Sequence, residues 1–319
     1  MNIVKFISLL VAILFFASIS LMVGPGDFSY SDENFMNIVL SIRLPQVTLS
    51  FLVGGLLSLS GLLFQAMFKN SLATPYTLGV ASGAALGATV YFTLGLAFSI
   101  PFINSVSIFS FAFALVCVLL VYSMAIKNGR VSTHSLLLSG VVLSMVCSSL
   151  ILFLQFMGNE RDALQVVRWL MGGLDVVGFD STLRLIPISL IGISYSLFHS
   201  RKLNIMYLGD DIAITRGVDI YKFRKYLYLL NSLVVAMVVA ECGPIGFVGL
   251  LGPHMAKKLF SHKHQLLIPS SFLIGGLLLM ICDLLSRNIL STTQLPVGVL
   301  TALMGGPFLL LLLSRSSRV

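Results

Sequence analysis

The chain has 319 residues, 57% of them apolar and only 10% charged, with a mean hydropathy of +1.00. Soluble domains carry about 25% charged residues, so a soluble enzyme or nucleic-acid-binding domain is excluded. The formal charge of +8 is assigned instead to loops flanking a membrane.

At about 20 apolar residues per crossing, this length suits a single bilayer-embedded domain, residues 1–319, of roughly eight to ten helices. Charge-free runs mark them, because a charge at bilayer depth costs at least about 2.5 kcal/mol. Residues 6–23 are longer than a signal-peptide core and are followed by Met22-Val23-Gly24-Pro25, a poor cleavage site, so they are read as a retained first span. Residues 44–68 hold span two. No charge occurs over 71–126, a length for two spans broken near Pro101. Spans five, six and seven lie in 131–158, 185–199 and 226–240. The run Gly243-Pro244-Ile245-Gly246-Phe247-Val248-Gly249-Leu250-Leu251-Gly252-Pro253-His254 seeds a short span eight. Breakers at that depth require cover from protein or a water-filled cavity. Residues 265–282 are span nine and 288–314 hold span ten.

With both termini in the cytoplasm and ten alternating spans, only Arg43, Arg161, Arg168, Arg184 and Arg287 fall outside, leaving fifteen of the twenty basic residues inside. That is the positive-inside sense. Most acids fall outside, among them Asp27, Asp32, Glu33, Glu160, Asp162, Asp175 and Asp180. Apolar residues at helical spacing over 163–171 predict a short amphipathic outer helix after span five, with Trp169 at the interface. In the inner loop, about 200–225, Asp210 is expected to cap a short helix over 211–216 that Gly217 terminates.

Enzyme signatures are missing: there is no phosphate-binding loop, zinc-protease motif or nucleophile elbow. No catalytic residue and no metal ligand is assigned, and any ATP must bind another chain. Cys117, Cys147, Cys242 and Cys282 lie in or beside apolar runs and are read as packing residues. His254 is either a packed helix-end histidine or a functional one. Glu241 and Asp283 are the carboxylates nearest apolar spans, both placed near outer ends where water reaches. Asp283 can pair with Arg287 four residues on. Small residues crowd 54–61 and 79–88, which suits close helix packing or a pore lining that reseals.

Several runs then resemble, in order, the FecCD family of permease subunits of type II ABC importers for iron–siderophore complexes, haem and cobalamin. They are Arg43-Leu44-Pro45; Ser60-Gly61 with Gln65 and Asn70-Ser71-Leu72-Ala73-Thr74-Pro75; Leu78-Gly79 with Gly83-Ala84; and Leu136-Leu137-Leu138-Ser139-Gly140-Val141. Trp169-Leu170-Met171-Gly172-Gly173 follows, then Leu208-Gly209 with Ala213 and Gly217, then the run around Gly243, Gly246, Pro253 and His254. Last come Leu295-Pro296-Val297-Gly298, Thr301 and Gly305-Gly306-Pro307-Phe308.

The resemblance implies an all-α integral membrane fold of ten helices in the bacterial cytoplasmic (inner) membrane. It implies a second permease subunit, identical or related, two cytoplasmic ABC ATPases that hold the ATP and magnesium, and an external substrate-binding protein, periplasmic or lipid-anchored. The chain itself would bind no cofactor. Leu208, Gly209, Asp210, Ala213 and Gly217 would form the ATPase-coupling helices between spans six and seven. Arg43 and Arg287 would dock the binding protein, although Gln46 replaces the arginine that usually ends Arg-Leu-Pro-Arg. Asn70-Ser71-Leu72-Ala73 likewise replaces Asn-Pro-Leu-Ala. Ser132 and Thr133 resemble an inner gate, and spans five, seven and eight with the outer helix would move most. An iron–siderophore complex is the expected cargo, with haem or cobalamin as alternatives. A proton-coupled secondary transporter is the rival from another class. It calls for inverted repeats, and none joins the two halves of this sequence.

Overall fold

A computed structural model describes residues 2–24, 35–96, 102, 104–127, 130–290 and 294–316. Pro101, Arg318 and the acids at 27, 32 and 33 lie outside the described residues. In chain order come α1 (Asn2–Met22), α2 (Phe35–Ile38), a π-helical turn (Val39–Arg43), α3 (Leu44–Phe68), a 3-10 turn (Pro75–Leu78), α4 (Val80–Thr93) and α5 (Ser105–Ala125). A two-residue antiparallel ribbon, β1 (Ile126–Lys127) with β2 (Arg130–Val131), leads to α6 (Thr133–Met157). Then follow α7 (Glu160–Leu170), α8 (Asp180–Phe198), α9 (Ser200–Leu208), α10 (Asp210–Thr215), α11 (Ile220–Cys242), α12 (Val248–Leu259), α13 (His264–Asn288) and α14 (Val297–Ser316).

Among the described residues, seven helices are long and apolar enough to cross a membrane: α1, the continuous α2–α3 rod, α5, α6, α8, α11 and α13. The expected third and eighth spans correspond to α4, of 14 residues, and α12, of 12 residues. At 1.5 Å per residue these rise only about 21 and 18 Å, short of a hydrocarbon core of about 30 Å. The expected tenth corresponds to α14, in which Val297–Leu310 forms a shorter apolar stretch. The described residues therefore form an α-helical, multi-pass bundle with seven full-length spans.

At the centre stands α3, packed by α13, α12, α11 and α8. Of its apolar window 83% is buried, against 6% for α1. Its small residues explain the position. A Cβ at Gly61 would lie 1.7 Å from the Gly249 carbonyl oxygen of α12, and one at Gly54 would lie 2.3 Å from that of Gly275 in α13. Ser58 donates to the Ser271 carbonyl at 2.7 Å. In α4, Gly83 and Gly87 abut Cys117 and Phe109 of α5. Both small-residue runs thus serve helix packing.

Prolines are absorbed by specific partners. Pro45 has no N–H for the Ser41 carbonyl. The chain widens into the π-helical turn just before it, and that carbonyl accepts from the Gly178 N–H at 2.9 Å. Pro253 similarly frees the Gly249 carbonyl, which accepts from Gln65 Nε2 at 3.5 Å, while Lys257 Nζ donates to Gln65 Oε1 at 2.8 Å.

Contacts sort the helix ends into two sets. At one, the basic end, Lys5 reaches the Leu259 carbonyl, Asn204 meets His264, and Lys69 meets Asp210. At the other, Arg43 reaches the Leu21 and Met22 carbonyls, Arg287 meets Ser20, and Arg184 meets Glu241. Three helices outrun the charge-free stretches that marked them. α8 starts at Asp180 rather than 185, α11 at Ile220 rather than 226, and α13 continues past 282 to Asn288. Arg184, Arg224, Asp283 and Arg287 sit inside these helices because each is paired with an opposite charge.

Candidate functional site

The segment linking α8 to α11 at the basic end is built from α9 and α10. Gly209 (φ +146°) occupies the N-cap of α10. Asp210 is therefore not the cap. It lies in the first helical turn, and its carboxylate accepts from Lys69 Nζ at 2.6 Å and from Arg224 Nη2 at 2.8 Å on both oxygens. Partial burial alone would raise its pKa, but these two cations outweigh that and hold it below the usual carboxylate range. The helix stops as expected at Gly217. The Val218 N–H bonds back to the Ala213 carbonyl and the Gly217 N–H to that of Ile214, at 3.0 and 2.9 Å, with Gly217 at φ +76°. That is a Schellman stop, whose left-handed residue costs glycine nothing sterically.

Ala213 is fully buried in the main core cluster. Tyr207, Leu208, Ile212 and Ile214 face outward, Leu208 with 61% of its surface exposed. These apolar side chains lie on short helices outside the full-length spans. They lie within eight residues of one another, and apolar surface gathered into an exposed patch marks a partner site.

A second feature runs along α6. An open groove of about 440 Å³ is lined by Tyr76, Thr77, Val141, Ser144, Met145, Ser148 and Ser149. Ser144 lies eleven residues into α6, about 16 Å along it, near mid-helix. Ser144 and Ser149 donate to the carbonyls four residues back, Thr77 to that of Thr74, and Tyr76 to that of Ile245. The lining is neutral, and the hydroxyls of Tyr76, Thr77, Ser144 and Ser149 are engaged within the chain. Ser132 caps α6 at its basic-end mouth, accepting from the Ser135 N–H at 3.5 Å, and is exposed. Thr133, the first residue of the helix, is half-buried. Both lie on the helix that lines the groove, but at its end.

At the opposite end, the glycine-rich run joins α11 to α12. Gly243 abuts the Trp169 carbonyl of α7, the Gly173 N–H bonds to the Cys242 carbonyl at 2.9 Å, and the Gly298 N–H to that of Gly172 at 3.4 Å. Trp169 is half-buried and packs against two of the core clusters. Gly246 has open space beside its Cα, Pro253 is buried within α12, and half-buried His254 meets the Phe308 ring edge-on at 5.5 Å. The motif is a joint among α7, α11, α12 and α14.

The two arginines expected at an outer docking face lie in the interior, 5% and 2% exposed. Arg43 bonds to the end of α1 at 2.9–3.0 Å, and Arg287 bonds to Asp283 at 2.6 Å and to Ser20 at 2.5 Å. Desolvation explains the arrangement, since a buried guanidinium must be paired. Gln46 is likewise buried. Asp283 is only 2% exposed, so it is not water-facing as expected. Sequence reasoning missed the Arg184–Glu241 pair, at 2.7 Å, whose members are 57 residues apart. Among the described residues, no three His, Cys, Asp or Glu converge as metal ligands.

Comparison with known proteins places this architecture. The model of the FecCD transport family matches residues 3–315. The chain belongs to the FecCD transport family. It is 36% identical over 300 residues to an uncharacterized ABC transporter permease protein, YvrB of Bacillus subtilis (92% of this chain, 83% of that protein). It is 33% identical over 324 residues to the iron(3+)-hydroxamate import system permease protein FhuG of the same organism (97% and 95%). It is 37% identical over 276 residues to the cobalamin import system permease protein BtuC of Halobacterium salinarum (86% and 73%). A solved structure of the metal-chelate type of ABC transporter, in an inward-facing conformation, superposes with a TM-score of 0.87 at 29% identity, covering 99% of this chain and all of that one.

Proposed function

We propose that this chain is the membrane-spanning half of an ATP-driven importer that moves an iron–siderophore complex from an external binding protein into the cytoplasm. It would pair with a second permease subunit and two separate ATPases. The observation that carries this reading is the segment 200–217: a short, capped helix tied into the bundle by Asp210 and Ala213, with apolar side chains turned outward. Such a surface needs a partner, and a motor protein on that side would have a rigid element to push.

In this reading the basic end is cytoplasmic, as the positive-inside rule requires. α4, α12 and α14 complete ten passes, with bilayer thinning or neighbouring helices covering the two shortest. The groove on α6 faces the second permease and forms half of the path. The hydroxyls of Ser144 and Ser149 are engaged within their own helix and the lining carries no charge, so it offers a polar wall with weak grip, which suits a bulky cargo whose affinity is supplied by the external protein. Ser132 and Thr133 stand at the cytoplasmic mouth, where a small rotation of α6 would open or close it. The joint at Gly243 and Gly172 lets α7 and α11 follow that rotation. Arg43 and Arg287 fasten α1 to the bundle, and docking of an acidic binding protein falls to the exposed Arg161 and Arg168 of α7.

Support for a siderophore comes from the iron–hydroxamate relative, matched over nearly its whole length; cobalamin and hemin permeases are matched at similar identity, so the assay must offer all three. The test is uptake into proteoliposomes holding the complete complex, with labelled ferric hydroxamate, haemin and cobalamin offered in parallel. ATP-dependent uptake of the ferric complex supports the reading. ATP-dependent uptake of another ligand replaces the cargo, and uptake driven by a proton gradient without ATPase sinks the importer role.

A further inference from the structure

We propose that Asp210 is the positioning residue that passes movement of the coupling helix to α3 and α11 together. The inference rests on the coupling role given to α10 above, and goes beyond it by naming the joint.

Alone, α10 has little to hold its place. It has six residues, too few for an isolated helix to persist. Its neighbours Gly209 and Gly217 take φ of +146° and +76°, so the chain turns sharply on either side. Two attachments bind it to the bundle. One is the burial of Ala213, a single methyl group that resists compression but not sliding. The other is the Asp210 carboxylate, whose hydrogen bonds are, among the described residues, the recorded side-chain bonds from α10 to other helices.

What Asp210 grips matters more than the number of bonds. Lys69 is the C-cap of α3, held at φ +51° with its N–H on the Gln65 carbonyl. One turn back, Gln65 is bonded by Lys257 of α12 and in turn reaches the Gly249 carbonyl. The Lys69 contact therefore leads into the most buried helix and from there into α12. Arg224 lies one turn into α11, its side chain 7% exposed. α11 runs the length of the bundle to Cys242, where it meets the loop after α7. One carboxylate thus spans two helices that lead to the packed spine and to the far-end joint. A push on α10 moves both in the same direction and leaves neither to slip.

The test uses the assembled complex with its ATPases and binding protein in proteoliposomes, measuring ATP hydrolysis and uptake in the same sample. For Asp210→Ala, substrate moved per ATP hydrolysed by the complex that assembles falls at least about fivefold, the lower end of ordinary coupling between sites. Asp210→Glu restores most of the ratio. Lys69→Met, which leaves the Arg224 pair in place, gives a smaller loss and keeps the inference testable if Asp210→Ala assembles poorly. The double variant Asp210→Ala/Lys69→Met is no worse than Asp210→Ala alone. A wild-type ratio in both single variants overturns the proposal, as does a loss that tracks only the yield of assembled complex. If Asp210 variants are normal while Gly217 variants uncouple, the coupling helix stands and the joint falls. If wild-type complex shows no ATP-dependent uptake, the coupling role itself falls.

Discussion

Gly217 isolates a single energetic term. Its φ of +76° closes α10 in a left-handed turn, and a Cβ built there meets nothing within 4 Å. A β-carbon therefore fits in space, and within the chain the cost of alanine there is conformational. For alanine that cost is about 1–2 kcal/mol, the left-handed penalty for an L-residue. Asparagine, which visits this region more readily, should cost a fraction of that, and β-branched valine more than alanine. Each 1.4 kcal/mol changes the equilibrium constant between the ordered and the opened turn tenfold. The series Gly217→Asn, Gly217→Ala, Gly217→Val should then lower uptake per ATP in that order. Hydrogen exchange of the amides over 213–218 should quicken in the same order. The Val218 and Gly217 N–H groups should respond most, since the stop consists of their bonds to Ala213 and Ile214. Equal behaviour of asparagine and valine, or full coupling in Gly217→Val, would refute both the conformational accounting and the claim that an ordered α10 transmits force.

Four further outcomes follow from the geometry. Asp283→Asn leaves Arg287, already with Nη1 unpartnered, as an uncompensated buried charge. It should cost about 3–5 kcal/mol, whereas Asp283→Leu with Arg287→Met should return close to wild-type thermal stability in detergent. Gly61→Val drives a Cβ to within 1.7 Å of the Gly249 carbonyl oxygen; it should exceed the usual overpacking cost of about 1–3 kcal/mol and be seen as loss of monodisperse protein. Ser148→Phe in the groove should spare ATP hydrolysis but block uptake of a bulky chelate, read in the same proteoliposome assay. Asp210 has a folded pKa held below the ordinary carboxylate value, about 3.9. Its contribution is complete above that value and is lost as pH falls through the lower folded one. Uptake per ATP should therefore show no titration from this group between about pH 5 and 8.

Legibility differed sharply between local and long-range features. The stop at Gly217, the helix after span five and the Asp283–Arg287 pair could be read because their partners lie within a few residues. Lys69–Asp210 and Arg184–Glu241 could not, being 141 and 57 residues apart. Hydropathy also failed to rank the helices by depth. α1 is the more apolar of the two, yet 6% of its apolar stretch is buried against 83% of that of α3. Lipid and protein interior are equally apolar, so the one-sided period that orients a soluble helix is lost. The surviving signal was residue size, which singled out 54–61 correctly as a packing run. Charge put Arg43 and Arg287 at the end of the bundle opposite the basic one, where they lie, but it could not show that each is buried there against its partners.

That last point bears on how force crosses the molecule. A bundle that must move and yet keep buried charges paired can do so only if the paired groups travel together. Arg43 and Arg287 tie α1, through the ends of α3 and α13, to the glycine-packed spine, and Arg184–Glu241 ties α8 to α11. Separating any of these pairs costs several kcal/mol, so the pairs mark boundaries within rigid groups rather than hinges. The bare surface of α6 and the backbone-only contacts around Gly172 and Gly243 carry no such penalty. Motion costs least at these two places, along the groove-lining helix and at the far-end joint.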